Sequence, residues 1–268
     1  MDRQLSQIGV AYSGYVPQLL TRHADLVDYV EFPYELLSAD PSIRQTVGDY
    51  PAILHCASLS MAGFVSASDA TWESVAKSAA ALDSPWVGEH LAYILGEDNL
   101  SSGYTIAPAL NSATLKRVVA NVRRAKDTLP APLILENPPF YFTAKTTNMT
   151  VPEFFNELVE EHNVGLLLDL SHLEITCQNL RLDAQLTLQQ FPLERVIELH
   201  LSGTTEQMDV TWDHHASRCP ESVWRLLDQT LDRVQPKAIT IEYNWSSNFP
   251  EADVVEDLMR LRRVLGRR

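Results

Sequence analysis

The chain has few cysteines and few basic residues for its length, and both shortages exclude some classes of protein. Of its 268 residues, three are cysteines, and Cys56, Cys177 and Cys219 form no CxxC pair. An odd number without paired spacing argues against a disulfide framework and favours a reducing compartment. Lysine and arginine number 21 against 35 acidic residues, a formal net charge of −14. That balance argues against a nucleic-acid enzyme and suits a basic peptide or protein partner.

Long apolar runs are also missing. None approaches the roughly 18 residues that cross a bilayer, and the opening residues lack the basic-then-apolar pattern of a signal peptide. We therefore expect a cytoplasmic protein with no membrane contact and no nucleic-acid partner. Because no linker, low-complexity tract or short repeat interrupts the chain, we expect a single domain over residues 1–268.

Eight short apolar runs alternate with helical patterns along the chain. The runs are bounded by turn or helix signals, which predicts buried parallel strands. We place these strands at residues 8–13, 29–33, 52–57, 86–93, 133–137, 165–172, 196–203 and 238–244. Apolar spacing and proline position predict helices over 72–82, 112–129, from 151 onward, 220–234 and 252–265. This alternation favours an α/β fold, a single closed (β/α)8 TIM barrel.

Histidines and carboxylates recur at the ends of these apolar runs. The set comprises His55, His90, Glu136, Asp169, His200 and Glu242. The carboxyl ends of parallel strands converge on one face of a barrel, where chemistry takes place in such folds. Clustered buried carboxylates need cations, and no lysine or arginine stands at these strand ends, so we predict a site for more than one metal ion.

The types of ligand narrow the choice of metal. Imidazole and carboxylate donors without thiolate suit iron, manganese or zinc rather than a structural cysteine site. The sequence contains no HExxH motif, so helix-borne zinc protease chemistry is not indicated. Ligand types alone leave both oxygen chemistry and hydrolysis open.

Some neighbouring polar residues have competing interpretations. Of the adjacent pair His214 and His215, we favour His215 as the ligand because it forms an Asp-x-His spacing with Asp213. Glu31 and Glu35 could contact substrate, although we favour a solvated or helix-capping role for both.

Strand alternation sorts the remaining candidates by face. If His200 points into the barrel, Glu198 does too, one layer deeper. We expect small or polar side chains to point inward and branched aliphatic ones outward. Glu89 and Cys56 each alternate away from a histidine, so we expect Glu89 to face the helices, in an ion pair. Cys56 is then a packing residue rather than a nucleophile.

Two segments that follow strand ends show no strong pattern. They cover residues 94–111 and 203–219. Long loops on the carboxyl face of a barrel are usually lids or substrate-binding loops. We therefore predict that these two segments shape the substrate site.

Motifs spread over essentially the whole chain resemble those of the multinuclear non-haem iron-dependent oxidases, the family of the methanobactin-maturing enzyme. The resemblance is specific in the combination and order of the motifs rather than in any one of them. The motifs are His55-Cys56-Ala57-Ser58-Leu59-Ser60, Glu89-His90-Leu91-Ala92, Leu135-Glu136-Asn137, Leu167-Leu168-Asp169 with His172, Glu198-Leu199-His200-Leu201-Ser202-Gly203, Asp213-His214-His215 and Ile241-Glu242.

This resemblance implies a TIM barrel with two or three irons, some ferrous and some ferric, and O₂ as co-substrate. The implied reaction oxidises a cysteine in a ribosomally synthesised precursor peptide (RiPP maturation), often with a small partner protein that binds the leader of that peptide. By position, the implied iron ligands are His55, His90 and Glu136; then Glu136, Asp169, His200 and Glu242; and then His172, Asp213 and His215. Asn137 and Glu31 become candidates for substrate contact.

The chain departs from the family pattern at two positions. Cys56 stands where the family commonly has glycine, and it could crowd the strand end. His172 stands where many members have asparagine; it adds a ligand and favours three irons over two.

Two other functions remain open from the sequence. One is a divalent-metal-dependent hydrolase or isomerase of the sugar-isomerase or endonuclease-IV-like barrel class, which also carries His, Glu and Asp at strand ends. The acidic charge counts against a DNA-cleaving version, and the lack of lysine at a predicted strand end counts against a sugar isomerase. The other is a binding subunit whose metal site has decayed, which the complete ligand set disfavours.

Overall fold

A closed barrel of eight parallel strands forms the centre of the protein. The structure is a computed structural model that describes residues 6–95, 101–246 and 249–266. Its strands are β1 (Gln7–Ala11), β2 (Tyr29–Pro33), β3 (Ala52–Cys56), β4 (Val87–His90), β5 (Tyr93–Leu95), β6 (Ser101–Ile106), β7 (Leu133–Glu136), β8 (Gly165–Asp169), β9 (Val196–Leu201), β10 (Thr204–Gln207), β11 (Val210–Asp213) and β12 (Ala238–Ile241). The barrel order β1-β12-β9-β8-β7-β4-β3-β2 confirms the predicted TIM barrel.

Helices surround this barrel. They are α1 (Val16–Arg22), α2 (Tyr34–Ala39), α3 (Asp69–Leu82), α4 (Ser112–Thr128), α5 (Val151–His162), α6 (Leu170–Leu180), α7 (Ala184–Leu188), α8 (Glu221–Leu231) and α9 (Glu251–Leu265), with short 3₁₀ turns at Ala24–Leu26, Pro41–Val47 and Leu193–Arg195. The helices predicted from the sequence are present as α3, α4, α5, α8 and α9. Thr150 and Glu153 form a capping box that begins α5.

The strand predicted over residues 165–172 is too long. β8 ends at Asp169, because the Asp169 side chain accepts a hydrogen bond of 2.7 Å from the backbone N–H of His172 and caps α6. His172 therefore lies in the first turn of a helix that starts directly at the strand end, and the sequence prediction was wrong on this point.

Two antiparallel hairpins occupy the segments that were predicted as loops. β5 pairs with β6 after the end of β4, and β10 pairs with β11 after the end of β9. The predicted strand 86–93 is therefore divided between β4 and β5. Residues 96–100 of the first segment lie outside the described residues.

The lower layer of the barrel interior is large and mostly apolar. It consists of Tyr29, Ile53, Trp86, Ile134, Leu167 and Ala238. The expectation that inward positions are small or polar is wrong for this layer, because the interior of such a barrel is a packed core. Gly9 makes room for it, since a Cβ at that position would lie 2.2 Å from the ring of Tyr29.

The alternate residues of the same strands pack outward against the helices, as predicted. Leu54, Leu135, Leu168 and Ile239 are all buried in this outer core. The three cysteines are unpaired and buried. Within the described part of the chain, no helix is both long and apolar enough to span a bilayer.

Candidate metal centre

Glu136 lies at the middle of a cluster of histidines on the carboxyl face of the barrel. It ends β7 and is fully buried. Its Oε2 atom lies 3.2 Å from His55 Nε2 and 3.1 Å from His90 Nε2, and its Oε1 atom lies 3.2 Å from His172 Nδ1. Because β3, β4 and β7 are neighbours in the barrel, their terminal residues converge here. His55, His90 and Glu136 form a first ligand group.

A second group shares Glu136 with the opposite side of the barrel. It consists of Glu136, Asp169, His200 and Glu242, all of them buried. His200 Nδ1 lies 3.1 Å from Glu242 Oε2 and 3.8 Å from Glu136 Oε1. One carboxylate therefore stands between two groups of donors and can bridge two ions.

The third group lies nearest to solvent. Asp213 Oδ2 is 3.0 Å from His215 Nε2 and 3.7 Å from His172 Nε2. The structure places His215 in this group, whereas its neighbour His214 is exposed and outside it. Asp213 ends β11, and β11 packs against α6, whose first turn carries His172.

The donor atoms of these groups fit metal ions. Within each group they lie within 4.8 Å of one another. Short nitrogen–oxygen distances such as that of His55 to Glu136 lack hydrogen-bond alignment. Seven buried donor atoms consequently have no hydrogen-bond partner: His55 Nδ1 and Nε2, Glu136 Oε1 and Oε2, Asp169 Oδ2, His200 Nδ1 and His215 Nε2. These clusters are able to bind metal ions.

The electrostatics also favour cations. Burial raises the pKa of Asp169 to about 7, and the charge of Glu136 adds to that shift. Burial also opposes ionisation of Glu136, but the nearby histidines, His90 first among them, hold its pKa well below the usual value. Burial disfavours the charged form of His55, yet Glu136 and Glu31 together raise its pKa to about 10. Histidine protons therefore balance the carboxylates, and metal ions would replace them.

Glu31 lies deeper in the barrel than the sequence suggested. It is 1% exposed within β2, and its Oε2 atom lies 3.1 Å from His200 Nε2 in a hydrogen bond. The favoured solvated or capping role is therefore wrong for Glu31. Glu31, His55 and His200 also form a ligand-type group of their own. Glu35 differs, because it is exposed and accepts hydrogen bonds from Ala57 N and Ser58 Oγ.

Asn137 supports the centre from the strand end. Its side chain accepts from the backbone N–H of Asp169 and donates to the backbone carbonyl of Asp169, both at 2.9 Å. Its own carbonyl oxygen lies 3.0 Å from His172 Nδ1. Both Asn137 and Glu31 are buried and hydrogen-bonded to other site residues, which gives them positioning roles; their contact with substrate stays a prediction.

Glu89 faces away from the barrel interior, as alternation predicted. It accepts hydrogen bonds from the backbone N–H groups of Leu59 and His90, where the sequence suggested an ion pair. Cys56 is fully buried beside it, and burial raises the pKa of the thiol well above its ordinary value. Gly88 makes room on the inner face, since a Cβ there would lie 2.6 Å from His55 Nδ1.

A polar floor beneath the centre was missed in the sequence. Glu198 is fully buried, as the alternation with His200 predicted, and it accepts from Trp86 Nε1 at 2.7 Å and from Tyr29 Oη at 3.1 Å. Thr240 also donates to it. Period-two alternation in β2, which gives Tyr29 and Glu31 the same face, was the signal that could have identified Tyr29.

Comparison with solved structures shows the fold alone. A xylose isomerase domain containing protein from Salmonella typhimurium has a TM-score of 0.61 at 14% identity, with 99% of each chain covered. A D-psicose 3-epimerase from Clostridium cellulolyticum has a TM-score of 0.58 at 14% identity, over 97% of this chain and 94% of that one. These neighbours are sugar-isomerase-like TIM barrels.

Comparison with sequences shows the family. A UPF0276 protein of Caulobacter vibrioides is 30% identical over 190 residues, which covers 70% of this chain and 67% of that protein. A UPF0276 protein of Bordetella pertussis is 32% identical over 187 residues, 68% of this chain and 64% of that protein. The family described as RiPP precursor modification enzyme MbnB/TglH/ChrH matches residues 7–265. This chain therefore belongs to the MbnB/TglH/ChrH family of enzymes that modify RiPP precursors.

Proposed function

We propose that this enzyme is a multinuclear iron-dependent oxidase that uses O₂ to modify a cysteine of a ribosomally synthesised precursor peptide. The observation that carries the proposal is the convergence of three groups of histidine and carboxylate donors, two of which share Glu136. The family supplies the peptide substrate. Because the centre contains no protein thiolate, the cysteine sulfur of the substrate is free to act as its soft ligand.

In this proposal the three groups hold iron, some ferrous and some ferric. His55, His90 and Glu136 would hold the first ion; Glu136, Asp169, His200 and Glu242 would hold the second; His172, Asp213 and His215 would hold the third. His172 completes the third group, which favours three ions over two. Bound iron would supply the electron transfer between peptide and O₂. Histidine, aspartate and glutamate side chains have no redox chemistry of their own that could do so.

The chain's own contribution is to hold the ligands and to direct access. Side-chain exposure is 0% at His200 and 1% at Glu136, but 18% at Asp213 and 36% at His215. The apolar layer below, with Trp86 and Leu167, closes the floor against water. A substrate therefore reaches the centre from the side of the third group, which is the most exposed; His90 of the first group is itself 16% exposed.

We further propose that a small partner protein binds the leader of the precursor peptide. The net charge of −14 suits a basic peptide or a basic partner, because opposite charges speed and orient association. A cytoplasmic location, where precursor peptides are synthesised, belongs to the same proposal.

The sugar-isomerase-like fold favours a second candidate function, divalent-metal-dependent isomerisation or hydrolysis. One structural neighbour, a xylose isomerase-like TIM barrel protein from Mycobacterium smegmatis, was solved in complex with magnesium. Against this candidate, a third, outer donor group exceeds what one divalent ion needs.

The direct test is O₂-dependent modification of a cysteine peptide. Iron-loaded enzyme would be mixed with each short cysteine-containing peptide encoded beside its gene, and O₂ uptake and peptide mass would be recorded. We expect a mass change located at cysteine that requires O₂ and disappears when the peptide carries serine instead. If the enzyme consumed no O₂ with any such peptide and isomerised a sugar with divalent metal, the proposal would be wrong.

A further inference from the structure

Three aromatic side chains from three segments meet beside the third ligand group. Tyr104 belongs to β6, Tyr141 to the segment that follows β7, and Trp212 to β11. The hydroxyl oxygens of Tyr104 and Tyr141 lie 3.3 Å apart. The rings of Tyr141 and Trp212 have centroids 4.7 Å apart and an interplanar angle of 32°. We call Tyr104, Tyr141 and Trp212 the aromatic cluster.

The aromatic cluster is continuous with the candidate metal centre. Trp212 directly precedes Asp213, whose carboxylate belongs to the third ligand group. Tyr141 joins the cluster to this strand, because its ring packs against that of Trp212. The third group is also the most exposed of the three, with Asp213 18% and His215 36% exposed.

The aromatic cluster is exposed to solvent, whereas the other tryptophans of the chain are buried. Trp212 is 37% exposed, while the other four tryptophans of the chain, all within the described residues, are 6% exposed or less. Tyr104 is 54% exposed. Aromatic faces that a protein leaves open beside a polar site are a common signature of binding surfaces.

The tip of the same hairpin carries another exposed apolar side chain, on a backbone in the left-handed region. Met208 and Asp209 connect β10 to β11 with φ angles of 53° and 59°. Such turns normally carry Asn-Gly, because a long side chain is strained at positive φ. Met208 is nevertheless present and is 82% exposed, so packing within the described protein does not account for it.

We propose that the aromatic cluster binds the precursor peptide next to the residue that is modified, and that it selects an apolar or aromatic side chain at that position. The inference rests on the proposed function, because it assumes that a peptide is the substrate. It adds a specificity-determining surface, defined by the aromatic cluster and extended by Met208, that contacts the peptide outside the metal ligands.

Size and position favour the substrate over a folded partner as the occupant. A stable protein interface takes about 800 Å² from each side, whereas three rings and one methionine offer contact for one or two side chains. The cluster also lies one residue from a ligand. A peptide residue bound there therefore lies close, along the same peptide chain, to the residue that is modified at the centre.

Trp212 provides its own reporter for the test. Two synthetic peptides, acetyl-Gly-Gly-Cys-Gly-Phe-Gly-amide and the same peptide with glycine in place of phenylalanine, would be titrated into iron-loaded enzyme without O₂. Quenching of tryptophan fluorescence by acrylamide reports on Trp212, since the other tryptophans are buried. We expect the phenylalanine peptide to protect Trp212 at a concentration about fivefold lower than the glycine peptide. Equal protection by both peptides would overturn the proposal.

Variants separate the aromatic cluster from general effects. Calorimetry of Tyr104→Ala and Trp212→Ala should show about fivefold weaker binding of the phenylalanine peptide and unchanged binding of the glycine peptide. Met259→Ala is the matched control, because Met259 is exposed on α9 and lies outside the cluster. The iron content of each variant is measured alongside to show that the ligands are intact.

The two proposals fail in different ways. If an iron-loaded enzyme modifies its peptide with O₂ but Tyr104→Ala and Trp212→Ala leave KM unchanged, the aromatic cluster is not the peptide surface and the proposed function stands. If the enzyme neither takes up O₂ nor modifies cysteine, the proposed function fails. In that case the inference is tested by two more peptides, with arginine or aspartate in place of phenylalanine. If either of these protected Trp212 better than the phenylalanine peptide does, the cluster would prefer a charged ligand and the inference would fail as well.

Discussion

The two layers of the barrel interior are built by the same strands and have opposite properties. In β3, β7 and β8, an apolar residue precedes a ligand-type residue by two positions, as Ile134 precedes Glu136. The lower residues form a mostly apolar core with Tyr29 and Trp86, whose polar atoms are satisfied by Glu198. The upper residues of these three strands, His55, Glu136 and Asp169, leave five buried donor atoms without hydrogen-bond partners.

Residues that stabilise the fold and residues that could bind metal therefore lie only two positions apart on each of these strands. The lower layer stabilises the barrel by burying apolar surface. The upper layer instead concentrates buried polar atoms that remain costly until a cation binds them. The account therefore predicts that changes in the upper layer affect metal binding, while changes in the lower layer affect folding.

The largest expected effect comes from removing the shared carboxylate. Glu136→Gln keeps the volume of the side chain but removes the charge that serves two ligand groups. We expect metal affinity and turnover to fall by more than about 100-fold, because even residues that only support metal ligands cost 10- to 100-fold. Metal analysis and O₂ uptake would measure the loss, and circular dichroism would check that the barrel remains folded. His90→Ala should behave alike; normal iron content and activity in both variants would contradict the ligand assignment.

A change in the lower layer should do the opposite. Leu167→Ala leaves a cavity under the centre, and we expect the free energy of unfolding to fall by about 2–5 kcal/mol. Urea denaturation measures this. Iron content per folded chain should stay as in the wild type. Leu186→Ala is the control, because Leu186 is 58% exposed and its loss should change stability by less than about 0.5 kcal/mol. Loss of iron without loss of stability in Leu167→Ala would break the comparison.

Glu31 sharpens the comparison because it lies at the boundary between the layers. It holds His200 by a hydrogen bond to Nε2, which leaves Nδ1 facing Glu242. Glu31→Gln should lower metal affinity by about 10-fold, as expected for a residue that orients a ligand. Competition with a chelator would measure the affinity. An unchanged affinity would show that packing alone fixes the ring of His200.

The smallest expected effect is on how thermal stability depends on pH. The stability of the metal-free protein should fall as the pH rises, whereas the stabilisation that iron adds should grow. The pKa of Asp169 is raised to about 7, so its stabilisation is complete below its ordinary value of 3.8 and is lost as the pH rises towards 7. The pKa of His55 is raised to about 10, so its stabilisation is complete below 6.5 and is lost as the pH rises towards 10.

The metal-free protein should therefore melt at a higher temperature near about pH 5.5 than near about pH 8.5. Metal competes with the same protons, so the stabilisation that iron adds should grow over this interval. Anaerobic thermal melts with chelator and with ferrous iron would measure both slopes. A metal-free protein that gains stability as the pH rises would contradict the assigned shifts.

Much of this architecture could be predicted from the sequence because strands and ligands leave local patterns. Short apolar runs identify the eight barrel strands, and period-two alternation gives the face of Glu198, Glu89 and Cys56 correctly. The same argument brings the predicted ligand positions to one end of the barrel. The structure brings these positions together in groups that could hold metal ions, and their assignment as iron ligands stays a prediction.

The errors arise where one residue serves two roles or where distant segments meet. Asp169 ends a strand and caps a helix. Because an apolar residue, Leu170, directly follows Asp169, local hydrophobicity does not show where the strand ends, and the sequence predicts a strand that continues to residue 172. The inward face of β2 was missed because Tyr29 and Glu31 acquire their roles only through Glu198 and His200, far away in sequence. The hairpin that carries Trp212 has too few apolar residues to reveal its strands.

The central claim is that the upper layer is a multinuclear iron centre, and its most direct test is metal analysis of anaerobically purified protein with Mössbauer spectroscopy of an iron-57 sample. The account predicts two or three irons per chain, some ferrous and some ferric, with three expected from the third ligand group. Zinc or manganese alone, with no gain in activity when iron is loaded, would contradict it.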